Sequence, residues 1–151
     1  MNVEIQNEAA MKAFGARLGA LLKGGEIIEL VGDVGAGKTT LTKGVAEGLR
    51  VDDDVQSPSF TISRVYDARD NLFLAHYDFY RLHDAGIMEA ELHETLHDPH
   101  TITIVEWADI VKGVLPESRL SVSITPTSDE GREVTIQTTK PELKKLLEQL
   151  S

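Results

Sequence analysis

The chain has 151 residues, 25 acidic against 15 basic side chains, a formal net charge of -10 and no cysteine. Such an acidic surface repels a polyanion, which argues against a direct grip on nucleic acid, and the missing cysteines exclude a disulfide framework, a cysteine nucleophile and a cysteine zinc site. No run approaches the roughly 18 to 20 apolar residues of a membrane span and the polar start is unlike a secretory leader, so one cytoplasmic domain over residues 1–151, without contact to a membrane, is expected.

After Asn7, a candidate N-cap, Met11, Phe14, Leu18, Leu21 and Leu22 recur at helical spacing until Gly24-Gly25. Glu26 to Val31 reads as a mostly buried strand and Lys38 to Leu49 as a helix. Phe60 to Tyr66 and Leu72 to Tyr77 read as two strands joined by a turn at Asp67 to Asn71. Asp84 to His97 has helical spacing and ends before Asp98-Pro99, because proline disfavours a helical residue ahead of it. Thr101 to Val105 follows as a β-branched strand. Leu120 to Thr125 and Arg132 to Thr138 alternate at period two around a polar turn, and Pro141 opens a last helix. The strands beyond residue 60 are not cleanly separated by helices. The expected fold class is therefore α/β, with a mixed, partly antiparallel central sheet flanked by helices in the manner of a P-loop NTPase.

The run Gly32-Asp33-Val34-Gly35-Ala36-Gly37-Lys38-Thr39 meets the pattern G-x-x-x-x-G-K-S/T in full, between a strand and a helix. Its glycines let successive N–H groups, including those of Asp33, Ala36 and Thr40, face the phosphates of ATP. Lys38 brings positive charge to the β and γ phosphates, and Thr39 offers a hydroxyl to Mg2+. Mg2+ also calls for carboxylate oxygens near the loop, and two acids follow strand ends: Asp78 and Glu106. One could hold the metal while the other orients or deprotonates the attacking water; residue chemistry alone leaves those roles open. A rival pattern, His93-Glu94-Thr95-Leu96-His97, fits the zinc-protease motif H-E-x-x-H, yet it lies near a helix terminus and brings no third ligand. A solvated helix face is the simpler reading.

Neither the guanine-reading N-K-x-D and D-x-x-G motifs nor an L-S-G-G-Q run occurs. A small P-loop kinase acting on a metabolite hydroxyl would normally bring an arginine-rich lid, whereas the arginines here are scattered. A nucleotide-binding module with incidental hydrolysis is the third class.

Four blocks narrow the choice: Gly32 to Thr40, Ser57-Pro58-Ser59-Phe60, His76-Tyr77-Asp78-Phe79-Tyr80-Arg81-Leu82, and Glu106-Trp107. In this order, and over Asn7 to about Arg132, the chain resembles the TsaE family, bacterial P-loop ATPases of the pathway that makes threonylcarbamoyladenosine on tRNA. The resemblance implies an ATPase, weak alone, that works with a threonylcarbamoyl-transfer enzyme and its paralogous scaffold, the TsaD and TsaB type proteins, and meets tRNA only indirectly. It further implies a nucleotide-responsive switch at Ser57 to Phe60, a Walker B-like acid at Asp78 and a Mg2+-reaching acid at Glu106. Glu8 and Arg132 match positions near the bound nucleotide, and Trp107 one beside it. Ser59 departs from the family's frequent threonine but keeps a hydroxyl.

Overall fold

The computed structural model describes residues 1–33, 35–56, 58, 62–80, 86–111 and 113–151. Among them the elements run β1 (Asn2–Ile5), α1 (Glu8–Leu21), β2 (Ile27–Val31), α2 (Lys38–Gly48), β3 (Ser63–Asp67), β4 (Phe73–Asp78), α3 (Ile87–Leu96), β5 (Thr101–Glu106), β6 (Leu120–Pro126), β7 (Arg132–Gln137) and α4 (Pro141–Leu150). The seven strands join in one sheet of order β1-β7-β6-β2-β5-β4-β3. Its centre, β6-β2-β5-β4, is parallel, and both flanks are antiparallel, with β3 on β4 at one end and β7 and β1 on β6 at the other. This is the mixed α/β sheet expected.

The apolar alternation explains the layering. Strand residues of one parity, among them Ile28, Leu30, Leu74, Ile102, Ile104 and Val122, bury against Met11, Phe14 and Leu18 of α1 and Leu41 and Val45 of α2, with Leu143, Leu146 and Leu150 of α4. The opposite parity, with Ala75, Tyr77 and Val105, packs on Leu92 and Leu96 of α3. Every residue of β5 is buried, as befits a central parallel strand. The Tyr77 hydroxyl shares a 2.9 Å hydrogen bond with the Thr95 hydroxyl, tying α3 to the sheet, and burial raises the Tyr77 pKa above its ordinary value.

Helices α1 and α2 meet backbone to backbone. A Cβ at Gly19 would stand 2.2 Å from the carbonyl oxygen of Val45, and one at Gly44 2.2 Å from that of Lys12. Asn7 caps α1 by accepting from the Ala10 N–H at 2.9 Å. The far end of α1 is closed by Arg69, whose Nη2 donates to the carbonyls of Gly19, Ala20 and Leu22 at 3.1, 3.1 and 2.8 Å.

Three sequence expectations change. Strand β1 is new: Val3 and Ile5 alternate with Asn2 and Glu4, but over only 4 residues and with Ile5 alone buried, and pairing with β7 makes it a strand. β3 begins at Ser63 instead of Phe60, which with Thr61 lies outside the described residues. Likewise α3 spans Ile87–Leu96, while the expected start at Asp84 lies outside them.

Candidate functional site

At Val31 the central strand β2 ends and the chain turns through the glycine loop into α2. The Ala36 N–H donates to the Asp33 carbonyl at 3.0 Å, Gly35 has φ 83° and Gly37, the N-cap of α2, φ 111°. Side chains rarely adopt those values, so glycine is needed at both. Gly32 is required by proximity: a Cβ there would stand 2.9 Å from the Ile124 carbonyl oxygen. Val34 lies outside the described residues. The first turn of α2 follows directly, with Thr39 and Thr40 half-buried, and an α-helix leaves its leading N–H groups without intrahelical partners.

Lys38 is 6% exposed and folds back over the loop, donating to the Gly32 carbonyl at 2.7 Å. Its ammonium lies 3.8 Å from Glu106 Oε1 and 4.2 Å from the centroid of the Trp107 ring. Glu106, 3% exposed, ends β5 beside Leu30 of β2, and its Oε2 meets Nε2 of the fully buried His76 at 2.5 Å. Across β4 and β5, Asp78 is the direct register partner of Glu106. The two acids therefore stand side by side at strand carboxyl ends, where the sequence places them. Asp78 Oδ1 accepts from the Tyr80 N–H at 3.0 Å. Trp107 has φ 55°, a left-handed backbone that is uncommon outside glycine, and that bend brings its ring against Tyr80 with centroids 4.8 Å apart.

On the other side of the loop, Glu8 Oε1 accepts from the Thr40 hydroxyl at 3.2 Å. Arg132 Nε donates to the Ala36 carbonyl at 3.0 Å and its Nη1 to the Gly131 carbonyl at 2.7 Å, which staples the β6–β7 turn to the loop. Glu8, Gly35, Ala36, Gly37, Thr40 and Arg132 line a cleft of about 290 Å³. The structure thus gathers Glu8 and Arg132 at one flank of the loop and Lys38, Asp78 and Glu106 at the other. Of the switch block, Ser57, Ser59 and Phe60 lie outside the described residues, as do Arg81 and Leu82.

His93 and His97 lie elsewhere. They are exposed on α3, with the His97 Nδ1–H donating to the His93 carbonyl at 2.8 Å and the rings 4.4 Å apart. That end of α3 leads into the start of β5, the edge of the sheet opposite Glu106. Among the described residues no three His, Cys, Asp or Glu side chains gather to hold a metal.

Sequence reasoning left His76 without a role. The available signal was its spacing: two residues before Asp78 in a strand, it shares that acid's face of the sheet.

Comparison with known proteins decides the family. The model of a family described as Threonylcarbamoyl adenosine biosynthesis protein TsaE matches residues 5–134. The chain belongs to the TsaE family. It is 38% identical over 146 residues to the tRNA threonylcarbamoyladenosine biosynthesis protein TsaE of Bacillus subtilis, covering 96% of this chain and 90% of that protein. To the protein of the same name from Streptomyces coelicolor it is 42% identical over 134 residues, covering 83% and 88%. The crystal structure of YdiB from Bacillus subtilis superposes with a TM-score of 0.81 at 34% identity, covering 99% of this chain and 93% of that one. The TsaE fold, a mixed α/β sheet of the P-loop NTPase kind, is therefore the fold of this chain.

Proposed function

We propose that this chain binds ATP and hydrolyses it to ADP and phosphate, and that hydrolysis drives cycling of the complex that makes threonylcarbamoyladenosine on tRNA. The pathway comes from its TsaE relatives, whose names place them in that biosynthesis. The ATPase reading is carried by one observation: a lysine and a glutamate, both nearly fully buried, meet 3.8 Å apart over a complete phosphate loop. Burying two charges is costly unless they serve a purpose there, and a triphosphate with its metal ion is the chemistry that needs both.

In this reading the loop N–H groups of Asp33, Gly35, Gly37 and Thr40 cradle the phosphates, Ala36, whose N–H is held by the Asp33 carbonyl, shapes the loop beside them, and Lys38 leaves the Gly32 carbonyl for the β and γ phosphates. Glu8 and Arg132 shape the cleft toward the nucleoside. The donors present suit Mg2+: the Thr39 hydroxyl and the Oε1 of Glu106 are hard oxygens of the kind Mg2+ takes, with phosphate oxygens and water to complete its set. Bound there, Mg2+ would neutralise charge developing on the transferred phosphoryl group. Asp78, beside Glu106, orients the attacking water through its carboxylate.

Residues 1–151 act as one ATPase domain in the cytoplasm; the seven strands share one sheet, and no helix among the described residues is long and apolar enough to cross a membrane. The net charge of -10 favours docking on partner proteins, the threonylcarbamoyl-transfer enzyme and its paralogous scaffold of TsaD and TsaB type, with tRNA reached only through them. A nucleotide biases such docking only through a difference in affinity between its two states. The test is the affinity for that pair, measured with ADP and with a non-hydrolysable ATP analogue. At least about a fivefold difference is expected for a coupled cycle, and equal affinities would remove the coupling.

A further inference from the structure

His76 is fully buried in β4, and nothing in the proposed chemistry employs it. Its Nε2 carries the hydrogen that binds Oε2 of Glu106, since a carboxylate can only accept. Its Nδ1 has no hydrogen-bond partner among the described residues. A buried polar ring with one nitrogen unsatisfied is expensive to keep in a core where leucine would pack as well, so the single bond it makes has to matter.

That bond acts on Glu106 in a specific way. Glu106 has two oxygens with different surroundings: Oε2 is occupied by His76, while Oε1 faces the Lys38 ammonium 3.8 Å away. A glutamate side chain has three rotatable torsions, the last of them broad, so burial alone would not fix which oxygen faces the loop. The imidazole does, because it comes from the strand beside β5 and from the same face of the sheet.

We propose that His76 is a positioning residue for Glu106: by occupying Oε2 it holds the carboxylate so that Oε1 alone is presented to Lys38 and the phosphate loop. Glu106 then serves the nucleotide site through one oxygen. The functional consequence rests on the ATP reading above, whereas the bond itself does not.

The experiment has two arms. In protein with 15N-labelled histidine, the buried Nε2–H of His76 gives a downfield, slowly exchanging NMR signal, and Glu106→Gln moves it upfield as a charge-assisted bond becomes a neutral one. A signal that does not move in Glu106→Gln overturns the proposal, whatever the site binds. The second arm uses Trp107, the chain's single tryptophan, whose ring lies against Lys38, as a fluorescent reporter of nucleotide. His76→Leu fills the space but cannot donate; His76→Gln keeps an N–H near the position of Nε2. His76→Leu is expected to bind ATP without Mg2+ within about twofold of the unmodified protein and to lose on the order of tenfold of the affinity that Mg2+ adds. Its turnover at saturating Mg-ATP should fall on the order of tenfold or more, with KM for Mg-ATP rising in step with the lost Mg2+-dependent affinity; His76→Gln should recover to within about threefold, and His76→Leu with Glu106→Gln should be no worse than Glu106→Gln alone. Normal turnover in His76→Leu, equal losses in the Leu and Gln variants, or losses that multiply in the double variant would each overturn the positioning role. If the unmodified protein shows neither a Trp107 response to Mg-ATP nor hydrolysis, the ATP reading fails instead, and the NMR arm still decides the bond.

Discussion

Gly19→Ala tests whether α1 and α2 pack as tightly as the glycines imply. The added methyl would sit 2.2 Å from the carbonyl oxygen of Val45 and 3.0 Å from its Cα, about 1.2 Å inside the 3.4 Å at which ordinary contact begins. Both atoms belong to the backbone of α2, so no side chain can rotate away and the helices must separate. A gap of about 0.5 to 1 Å already forfeits a quarter to a half of each dispersion contact across an interface. Overpacking of this kind costs up to about 3 kcal/mol, and the better helix propensity of alanine returns about 1 kcal/mol, which leaves a loss near 2 kcal/mol. For a chain of this size that corresponds to a fall in Tm of about 4 to 8 °C by calorimetry. An unchanged or raised Tm would refute the close approach, since alanine without a clash stabilises a helix.

Arg69→Met removes three hydrogen bonds to the terminal carbonyls of α1 while keeping much of the side-chain bulk, and should lower stability to chemical denaturation by about 1 to 3 kcal/mol; a loss below about 0.5 kcal/mol would show that water replaces the guanidinium without penalty. The Asp98 carboxylate accepts from the His100 N–H and then from the Thr101 hydroxyl, and both hold its pKa below the ordinary value. A depressed folded pKa gives stability that is present above the unfolded value and lost as pH falls through the folded one. The Tm gap between the unmodified protein and Asp98→Ala should therefore narrow below about pH 4, and a gap constant down to about pH 2.5 would contradict the assignment.

What the sequence made legible was local. The phosphate loop is one contiguous run whose tasks follow from residue types, and the periodicity of Met11, Phe14 and Leu18 marks α1 without help from the rest of the chain. Asp78 and Glu106 could be placed at strand ends because the apolar runs before them are clear, and the register then set them side by side. Features that depend on distant pairing were hidden. Strand β1 has one buried residue and exists through β7, which lies some 130 residues away. The Arg69 cap joins a turn to a helix end 47 to 50 residues earlier. The bond between His76 and Glu106 spans 30 residues: the spacing from Asp78 puts His76 on the right face of β4, but only the pairing of β4 with β5 names Glu106 as its partner. The H-E-x-x-H pattern erred in the opposite direction: its local spacing is met, yet tertiary structure puts it at the wrong edge of the sheet.

Phosphate release from Mg-ATP by the unmodified protein and by Lys38→Ala, each alone and with the threonylcarbamoyl-transfer enzyme and its scaffold, tests the central claim most directly. Lys38 is the cation that meets Glu106 over the phosphate loop, and stabilising developing charge is the main catalytic contribution in phosphoryl transfer. The expected result is slow release by the unmodified protein alone, faster release with both partners, and a loss on the order of 100-fold or more in folded Lys38→Ala under either condition. Near-normal turnover by Lys38→Ala, or no release by the unmodified protein even with both partners, would contradict an ATPase built on this loop.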